Sequence, residues 1–208
     1  MNEIIYDGMD LDAIDSPEDL INPFEGHTSF AEVYNRFLGK ITDDMYLELT
    51  PEDTMRDMQN LLINAIPGFE FPRKVIDNFI INVIEKPAAL VTAGDFVIGE
   101  SIPGMVLVEQ SYFVSELSSE EINILAILML EGWVQRQVTS IEVTRMKYSG
   151  PDFKMTSQAN HLSKLLSLLK EIQRQSLHMQ RLYKRRKVDE KTGQITSNWS
   201  IFSPGNRS

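Results

Sequence analysis

Two long helical patterns in the second half of the chain constrain the fold more than any other feature. The first opens at Ser118, which has capping-box spacing to Glu121, and continues through Ile124–Leu130, which is apolar on every side. The second carries a heptad seam, whose residues are Leu162, Leu165, Leu169, Ile172, Ser176, Met179 and Tyr183. Because only a short turn at Gly150-Pro151 separates the two patterns, we predict two long antiparallel helices, one ending near residue 148 and one spanning roughly 157–187.

Two further helices are predicted before this pair. Ser29 and Glu32 form another capping box, and Gly39 can take the left-handed conformation that often ends a helix. Thr50 is a suitable N-cap for a longer helix with Pro51 at its first position. The apolar stripe of that longer helix is Met55, Met58, Leu61, Leu62, Ala65 and Ile66.

The helical period is lost between Phe69 and Val114. Runs of β-branched and aromatic residues, such as Phe79–Ile81 and Phe96–Ile98, alternate there with prolines and glycines, which favours short strands and turns. We therefore predict a mainly α fold: a helical bundle with two long antiparallel C-terminal helices and a small β-hairpin or sheet insertion at about 73–114.

The predicted domain organisation has three parts. Residues 1–28 are acidic and without sustained period, so they are interpreted as an arm. Residues 29–187 form the helical domain with its β-rich insertion. Residues 188–208 form a polar tail.

Charge is distributed unevenly along the chain, whose formal net charge is −10. Residues 1–35 carry nine carboxylates and no Lys or Arg, whereas residues 153–187 carry nine cations and the single acid Glu171. An acidic surface that meets a basic one favours contact between two different faces of neighbouring subunits, which is what a ring needs. The overall acidity disfavours wrapping of duplex nucleic acid.

Sequence motifs of enzymes are not found. The chain has no cysteine, and it lacks the glycine-rich phosphate loops and the G-x-S-x-G nucleophile motif. Its histidines are His27, His161 and His178, and the last two point to different faces of one helix. The longest apolar run, Ile124–Leu130, is far below the roughly 20 residues of a membrane-spanning helix. We predict a protein that is not an enzyme, has no cofactor or metal, and has no membrane partner.

Two segments are candidates for binding a partner. The first is the basic run Arg181, Lys184, Arg185, Arg186 and Lys187, for which three interpretations stay open. The cations could favour the dipole of a solvated helix end, contact an acidic surface of another subunit, or bind nucleic acid. The second is the pair Trp199 and Phe202 in the polar tail, which either docks on a partner or folds back on its own domain.

Several of these segments also carry a resemblance to a known family. They are Phe37–Tyr46, Ala65–Pro72, Leu117–Met129, Trp133, Met146–Lys154 and Ser157–Leu162. Together they resemble the head-to-tail connector proteins, also called adaptor or neck proteins, of tailed bacteriophages. The motifs are helix caps and a helix-to-helix turn, so the resemblance bears on architecture more than on contact residues.

The resemblance implies a helical subunit that forms a ring, typically a dodecamer, below the portal vertex of a filled capsid. Such a ring extends the DNA channel and docks the tail or other neck proteins, and genomic DNA passes through without specific binding. We accordingly expect a structural protein of the virion neck, assembled in the bacterial host cytoplasm, with itself, the portal protein and tail proteins as partners. The alternative is a nucleic-acid-binding regulator that uses the basic end of the last helix.

Overall fold

The computed structural model describes residues 26–41, 49–92, 94–148, 156–188 and 195–197. The helices in these ranges are α1 (Phe30–Leu38), α2 (Pro51–Ala65), α3 (Ser119–Tyr148) and α4 (Thr156–Arg185). The strands are β1 (Thr28–Ser29), β2 (Phe79–Ile80), β3 (Val83–Pro87), β4 (Phe96–Ile102), β5 (Met105–Glu109), β6 (Tyr112–Phe113), β7 (Arg186–Val188) and β8 (Ile195–Ser197). Short 3-10 turns follow α2 and β3, at Ile66–Gly68 and Ala88–Leu90. Almost all of the predicted arm and most of the predicted tail lie outside the described residues.

Side chains cap three helix starts at the predicted residues. Ser29 Oγ accepts a hydrogen bond from the backbone N–H two residues later (3.1 Å), and Thr50 Oγ1 accepts one from the N–H three residues later (3.2 Å). At α3 the box is reciprocal: Ser118 Oγ accepts from the Glu121 N–H (3.3 Å), and Glu121 Oε2 accepts from the Ser118 N–H (2.7 Å). These bonds satisfy N–H groups that have no partner within the helix, which confirms the predicted starts.

The end of α1 differs from its prediction. Gly39 caps the helix in a right-handed conformation, with φ −65° and ψ −9°, and not in the left-handed one. The Gly39 N–H reaches the carbonyl of Asn35 at 3.1 Å, and the Lys40 N–H reaches that of Phe37 at 2.9 Å. The last turn tightens to shorter-range bonds, so this helix end does not need a positive φ.

The main core forms where α1, α2 and the first half of α3 meet. Leu125, Ala126 and Met129 on α3 are fully buried there, which confirms the predicted central position of this helix. The ring of Phe30 on α1 lies 4.7 Å, between centroids, from the ring of Phe113 on β6. Burial of a Leu or Met side chain favours the folded state by roughly 1.5–3 kcal/mol. No helix in the described ranges, α3 included, is both long enough and apolar enough to cross a membrane.

The predicted fold class is wrong. The strands form two three-stranded antiparallel sheets, with orders β1-β6-β2 and β3-β5-β4, so the fold mixes helices and sheets and is not a helical bundle with a small hairpin. β1 precedes α1 and pairs Thr28 with Phe113, so the first sheet joins distant parts of the chain. β1, β2 and β6 have two residues each, too few to show the alternating pattern by which strands are recognised in a sequence.

α3 and α4 are the two long helices expected from the sequence, and they are antiparallel. Glu121 near the start of α3 contacts Tyr183 near the end of α4, and Glu131 accepts a hydrogen bond from Gln173 at 3.1 Å. The seam faces α3, since Leu162, Leu169, Ile172, Ser176 and Tyr183 are buried. Farther from the main core, a second apolar cluster is built from residues of α3 and α4 alone.

The end of α4 also corrects the prediction. The helix stops at Arg185, and Arg186–Val188 forms β7, which pairs antiparallel with β8 in the register Arg186 to Ser197. The predicted helix end at residue 187 therefore lies in a strand. The first part of the predicted tail contributes the second strand of this small hairpin.

Candidate interaction surface on the last helix

The outward side of α4 carries a row of exposed cations, which we call the basic face. Its members are Lys170, Arg174, Arg181 and Arg185. Their spacings of four, seven and four residues place them within about 60° of one another around the helix axis, opposite the buried seam. Arg174 pairs with Glu171 at 2.8 Å, and no other member has an ion pair within the described residues.

The structure places the five cations predicted as a partner-binding group in different surroundings. Arg181 and Arg185 lie on the basic face. The backbone of Lys187 belongs to β7, and its side chain lies outside the described part of the chain. Trp199 and Phe202 also lie outside it, so the docking prediction for the tail stays a prediction.

The other two predicted cations contact their own chain. Arg186 forms an ion pair with Glu120 in the first turn of α3. The Lys184 ammonium lies 3.6 Å from the centre of the Phe71 ring, a cation–π contact. These two side chains help to fix the end of α4, and they are less available to a partner than those of Arg181 and Arg185.

Sequence reasoning missed Lys170 and Arg174 as members of this surface. The cations after residue 180 are nearly consecutive in sequence, whereas a helix presents residues three, four, seven and eleven positions apart on one side. The phase of the leucine seam, which the sequence does contain, was sufficient to find both residues.

A cluster of polar side chains fixes the end of α4, and we call it the anchor cluster: Arg73, Glu121, Gln180 and Tyr183. The Glu121 carboxylate is 1% exposed and accepts four hydrogen bonds. They come from the Tyr183 hydroxyl, the Arg73 N–H (3.3 Å), and the Ser118 N–H and hydroxyl (2.7 and 2.8 Å). These donors replace the water that this buried carboxylate has lost.

The same hydrogen bonds decide the protonation states in the cluster. Burial acts to raise the pKa of Glu121, but the hydrogen bonds from Tyr183 and Ser118 outweigh it, and the pKa is lowered. Burial and the neighbouring carboxylate raise the pKa of the Tyr183 hydroxyl. Glu121 is therefore the fixed acceptor and Tyr183 the fixed donor at neutral pH.

Arg73 and Gln180 join the segment after α2 to the end of α4. The Arg73 guanidinium donates to the carbonyl oxygens of Tyr183 and Arg186, and it lies 4.1 Å above the Tyr183 ring. Gln180 accepts from the Glu70 N–H (2.9 Å) and donates to the Gly68 carbonyl (3.1 Å). A cation at a helix C-terminus is favoured by the dipole. Rotation of α4 would break these bonds, so the direction of the basic face is set by the fold.

A groove of about 300 Å³ lies beside the anchor cluster, between α1, the start of α3 and the end of α4. Its charged residues each have a partner among the residues that line it: Arg36 donates to the Ser119 hydroxyl at 2.6 Å, and Arg186 pairs with Glu120. Among the described residues, no group of three or more His, Cys, Asp or Glu is placed to hold a metal ion. The groove adds polar contacts between helices and does not present a catalytic pair.

A second buried carboxyl lies in the sheet. Glu109 at the end of β5 is 2% exposed, and it accepts hydrogen bonds from the Ser111 N–H (2.9 Å) and from Gln59 Nε2 (3.2 Å). Burial raises its pKa, and these hydrogen bonds offset only part of that rise. The pKa shifts of the two buried glutamates therefore have opposite signs. The fold favours the charged form of Glu121 and the neutral form of Glu109.

Comparison with known proteins assigns no relative. No protein-family model matches the chain, and neither a curated protein nor a solved structure matches it.

Proposed function

We propose that this chain is a structural virion protein that forms a ring below the portal, connects the phage capsid to the tail and extends the DNA channel. The observation that carries this proposal is the exposed basic face, held in a fixed direction on a chain of net charge −10. The resemblance of the helix caps and the helix-to-helix turn to phage connector proteins supports the same function. The subunit would be made in the cytoplasm of the bacterial host and reside in the virion neck.

A ring places specific demands on a subunit. Each copy must present two different faces, one of which binds the other face on its neighbour. A basic face on α4 and an acidic surface elsewhere pair with each other and repel their own kind, which favours ring closure over two-fold dimers. The acidic partner is provided by the first 35 residues, which carry nine carboxylates and no Lys or Arg.

The partners under this proposal are further copies of the chain, the portal protein, and tail or other neck proteins. The predicted copy number is twelve. DNA passes through the ring without specific binding, because an overall acidic ring lines the channel with charge of the same sign as the phosphates. A map of the assembled ring tests this directly, and a lumen lined mainly by Lys and Arg contradicts it.

Assembly on the portal is the deciding experiment. Native mass spectrometry and electron microscopy are performed on the full chain alone and with purified portal. We expect a monomer in isolation and a closed ring on the portal. A chain that stays monomeric in the presence of portal overturns the proposal.

A matched pair of variants tests the role of the basic face in that assembly. Reversal of Arg181 and Arg185 to Glu is expected to abolish ring formation on the portal. Arg186 is left unchanged because its pairing with Glu120 makes its reversal a perturbation of the fold. The control reverses two exposed cations, Lys40, which follows α1, and Arg56 on α2, and it changes the net charge equally. Equal assembly by both variants contradicts the assigned role.

The second candidate function is nucleic-acid-binding regulation, and the row of four cations along α4 is the observation that favours it. If these cations contact phosphates of duplex DNA, log K falls with log salt at a slope of about −4. Steeply salt-dependent DNA binding by the isolated chain, without any assembly on portal, would select this function over the ring.

A further inference from the structure

We infer that in the ring the basic face of α4 binds the outer side of the β3-β5-β4 sheet on the next copy of the chain. This inference rests on the proposed function and names a surface of the neighbour within the described fold, in addition to the acidic first 35 residues. The outer side of the sheet is the side that faces away from the helices. It carries exposed apolar residues beside exposed acids, and the basic face carries an exposed apolar residue among its cations.

Strand register shows which side of the sheet faces the helices. Phe96 on β4 is opposite Glu109 on β5, and Glu109 accepts a hydrogen bond from Gln59 on α2. Successive residues of a strand point to opposite sides of a sheet. Val97 is opposite Val108, so both of these residues lie on the outer side.

Exposed apolar side chains mark the outer side. Val97 is 38% exposed, and Leu90 and Val91, in the connection from β3 to β4, are 54% and 36% exposed. This connection passes over the outer side, because its Asp95 pairs at 2.7 Å with Lys86, an outer-side residue of β3. A cluster of exposed apolar residues is typical of a surface that binds another protein.

Acids lie at the β4 edge of the outer side. Glu100 is on the same side as Val97, because their partners in β5 are two positions apart. At the neighbouring Gly99 a Cβ atom would lie 2.8 Å from Cγ of Pro51, so the start of α2, with the exposed Glu52, rests against β4. Glu52 and Glu100 have no ion pair within the described residues. This edge therefore presents negative charge that the described fold does not neutralise.

The basic face of α4 has a matching composition. Leu177 lies within about 20° of Lys170 around the helix axis, so it stands in the row of cations, between Arg174 and Arg181. Its side chain is 43% exposed. An apolar centre within a polar rim is the usual composition of a protein interface. We expect Leu177 to contact Val97 and the connection, and the cations to contact the acids at the β4 edge.

The order of packing separates these two surfaces within one chain. α4 packs on α3, α3 packs on α2, and α2 packs on β4. The basic face points away from α3, and the outer side of the sheet points away from α2. The two surfaces therefore belong to opposite outer layers and meet only between copies. Contact between different faces of successive copies is the kind of contact that closes a ring.

The two surfaces are similar in length, and their contact is small. The basic face extends over about 22 Å at 1.5 Å per helical residue, and β4 extends over about 20 Å at 3.3 Å per strand residue. With a helix diameter of about 10 Å, the footprint is roughly 220 Å² per copy, well below the ~800 Å² of a standard interface. Such a contact is too weak to join two free copies, and it becomes effective when the portal holds the copies side by side.

Disulfide trapping tests the contact in assembled rings. Because the sequence has no cysteine, Val97→Cys and Leu177→Cys chains each carry one thiol. When the two variants are mixed on purified portal and oxidised, we expect disulfide-linked pairs on a non-reducing gel. Each variant alone is expected to give none, because the contact joins two different faces. Linked pairs from either variant alone show a two-fold contact and overturn the inference.

Val143→Cys is the matched control for this trapping. Val143 on α3 is 45% exposed and lies outside both surfaces. Mixed with Leu177→Cys on portal, it is expected to stay unlinked. Linking as efficient as that of Val97→Cys means that the thiols meet by random collision, and it contradicts the assigned contact.

Exchange of charge between the two surfaces gives an independent test. Glu52→Lys with Glu100→Lys is expected to prevent ring formation on portal, as is reversal of Arg181 and Arg185 to Glu. All four substitutions in one chain are expected to restore ring formation, since each surface then meets opposite charge again. A loss of assembly that the fourfold variant does not restore contradicts the pairing.

The control for the acids is Asp77→Lys with Glu116→Lys. Both acids are exposed and lie outside the two surfaces, and the change in net charge is the same. This variant is expected to assemble as the wild type does and not to rescue the Arg181 and Arg185 reversal. Circular dichroism verifies that all variants are folded. Rescue by this control would show that net charge alone governs assembly, which overturns the inference.

The outcomes separate this inference from the proposed function. A closed ring on portal without the bond between positions 97 and 177 overturns this inference alone. A chain that forms neither rings nor linked pairs overturns both. Linked pairs in a concentrated mixture of the free variants, without ring formation on portal, support the contact and overturn the ring.

Discussion

The two ends of the α3–α4 hairpin are held by different kinds of contact. At the inner end, α3 is surrounded by α1, α2 and α4, and the anchor cluster adds buried hydrogen bonds to the apolar contacts. At the outer end, the described apolar cluster contains residues of α3 and α4 alone, such as Val138 and Leu162. Apolar packing holds two helices together without setting a unique rotation, whereas the directional bonds of the anchor cluster do set one.

This difference indicates which end of the hairpin has a fixed helix orientation and which end can move. Arg181 and Arg185 are next to the anchor cluster, so their direction is fixed relative to the core. The outer end, with fewer buried neighbours, is expected to open locally at lower free energy than the core. The predictions below test this contrast, from the largest effect to the smallest.

Cavity substitutions at the two ends should differ in size. Leu125→Ala, in the main core, is expected to lower the free energy of unfolding by about 3–5 kcal/mol. Leu162→Ala, in the two-helix part, is expected to cost about 2 kcal/mol, since helices with fewer neighbours can close around the cavity. Urea denaturation followed by circular dichroism measures both values. Equal losses would show that the outer end is as constrained as the core.

Removal of the Tyr183 hydroxyl should lower the free energy of unfolding by less than a core cavity does, but by more than removal of a hydroxyl without a good hydrogen bond. Tyr183→Phe removes a donor to the buried Glu121 and is expected to cost about 1–3 kcal/mol. Tyr34→Phe is the comparison, because the buried Tyr34 hydroxyl lies near the Glu109 carboxyl without a hydrogen bond of good geometry. A larger loss for Tyr34→Phe contradicts the importance given to the anchor cluster.

The pH dependence should show that the anchor cluster is built for a charged carboxyl. The pKa of Glu121 is lower in the folded state than in the unfolded state, so its contribution is fully present above the unfolded value of about 4.3 and is lost as pH falls through the folded value. Replacement by Gln should remove this acid-side decrease in stability. Unfolding curves between neutral and acidic pH test this, and an unchanged pH profile is the contrary result.

Glu109, outside the hairpin, should behave in the opposite way. Its raised pKa means that charging it costs stability, so Glu109→Gln should increase the free energy of unfolding at pH 7. The gain should shrink as pH falls through the folded pKa towards the unfolded one, because the wild-type carboxyl is then neutral too. A loss of stability at pH 7 would show that its hydrogen bonds outweigh burial.

The smallest change in the free energy of unfolding is expected from substitutions on the basic face. Arg181→Gln with Arg185→Gln should change the free energy of unfolding by less than about 0.5 kcal/mol, since both side chains are exposed and unpaired within the described residues. A loss well above that value would mean that the two arginines serve the fold, and the interaction surface would have to be reassigned.

The helices were predictable because their signals are local. Thr50 and Ser118 each accept a hydrogen bond from the backbone N–H three positions later, and the seam from Leu162 to Tyr183 repeats at helical spacing. The sheets were not predictable in the same way. Thr28 pairs with Phe113, which lies 85 positions later in the chain, and a strand of two residues leaves no pattern to detect.

The candidate surface was predictable only in part. The charge density around Arg181 and Arg185 is visible in the sequence, but the contacts of Lys184 with Phe71 and of Arg186 with Glu120 are not. Those contacts depend on how the segment after α2 meets the end of α4. Tyr183 fits the apolar seam by its spacing, and its hydrogen bond to Glu121 depends on the register between α3 and α4, which the seam does not specify.

The small hairpin after α4 shortens the tether of the tail. Since Arg186 pairs with Ser197, the chain that leads to Trp199 starts again beside the end of the helix. From Ser197 a fully extended chain can carry residue 202 no farther than about 18 Å, whereas a tail extending freely from Val188 could carry it about 50 Å. If the predicted docking by Trp199 and Phe202 occurs, this short tether confines the bound partner to the neighbourhood of Arg186, so chain length limits which subunits can be reached.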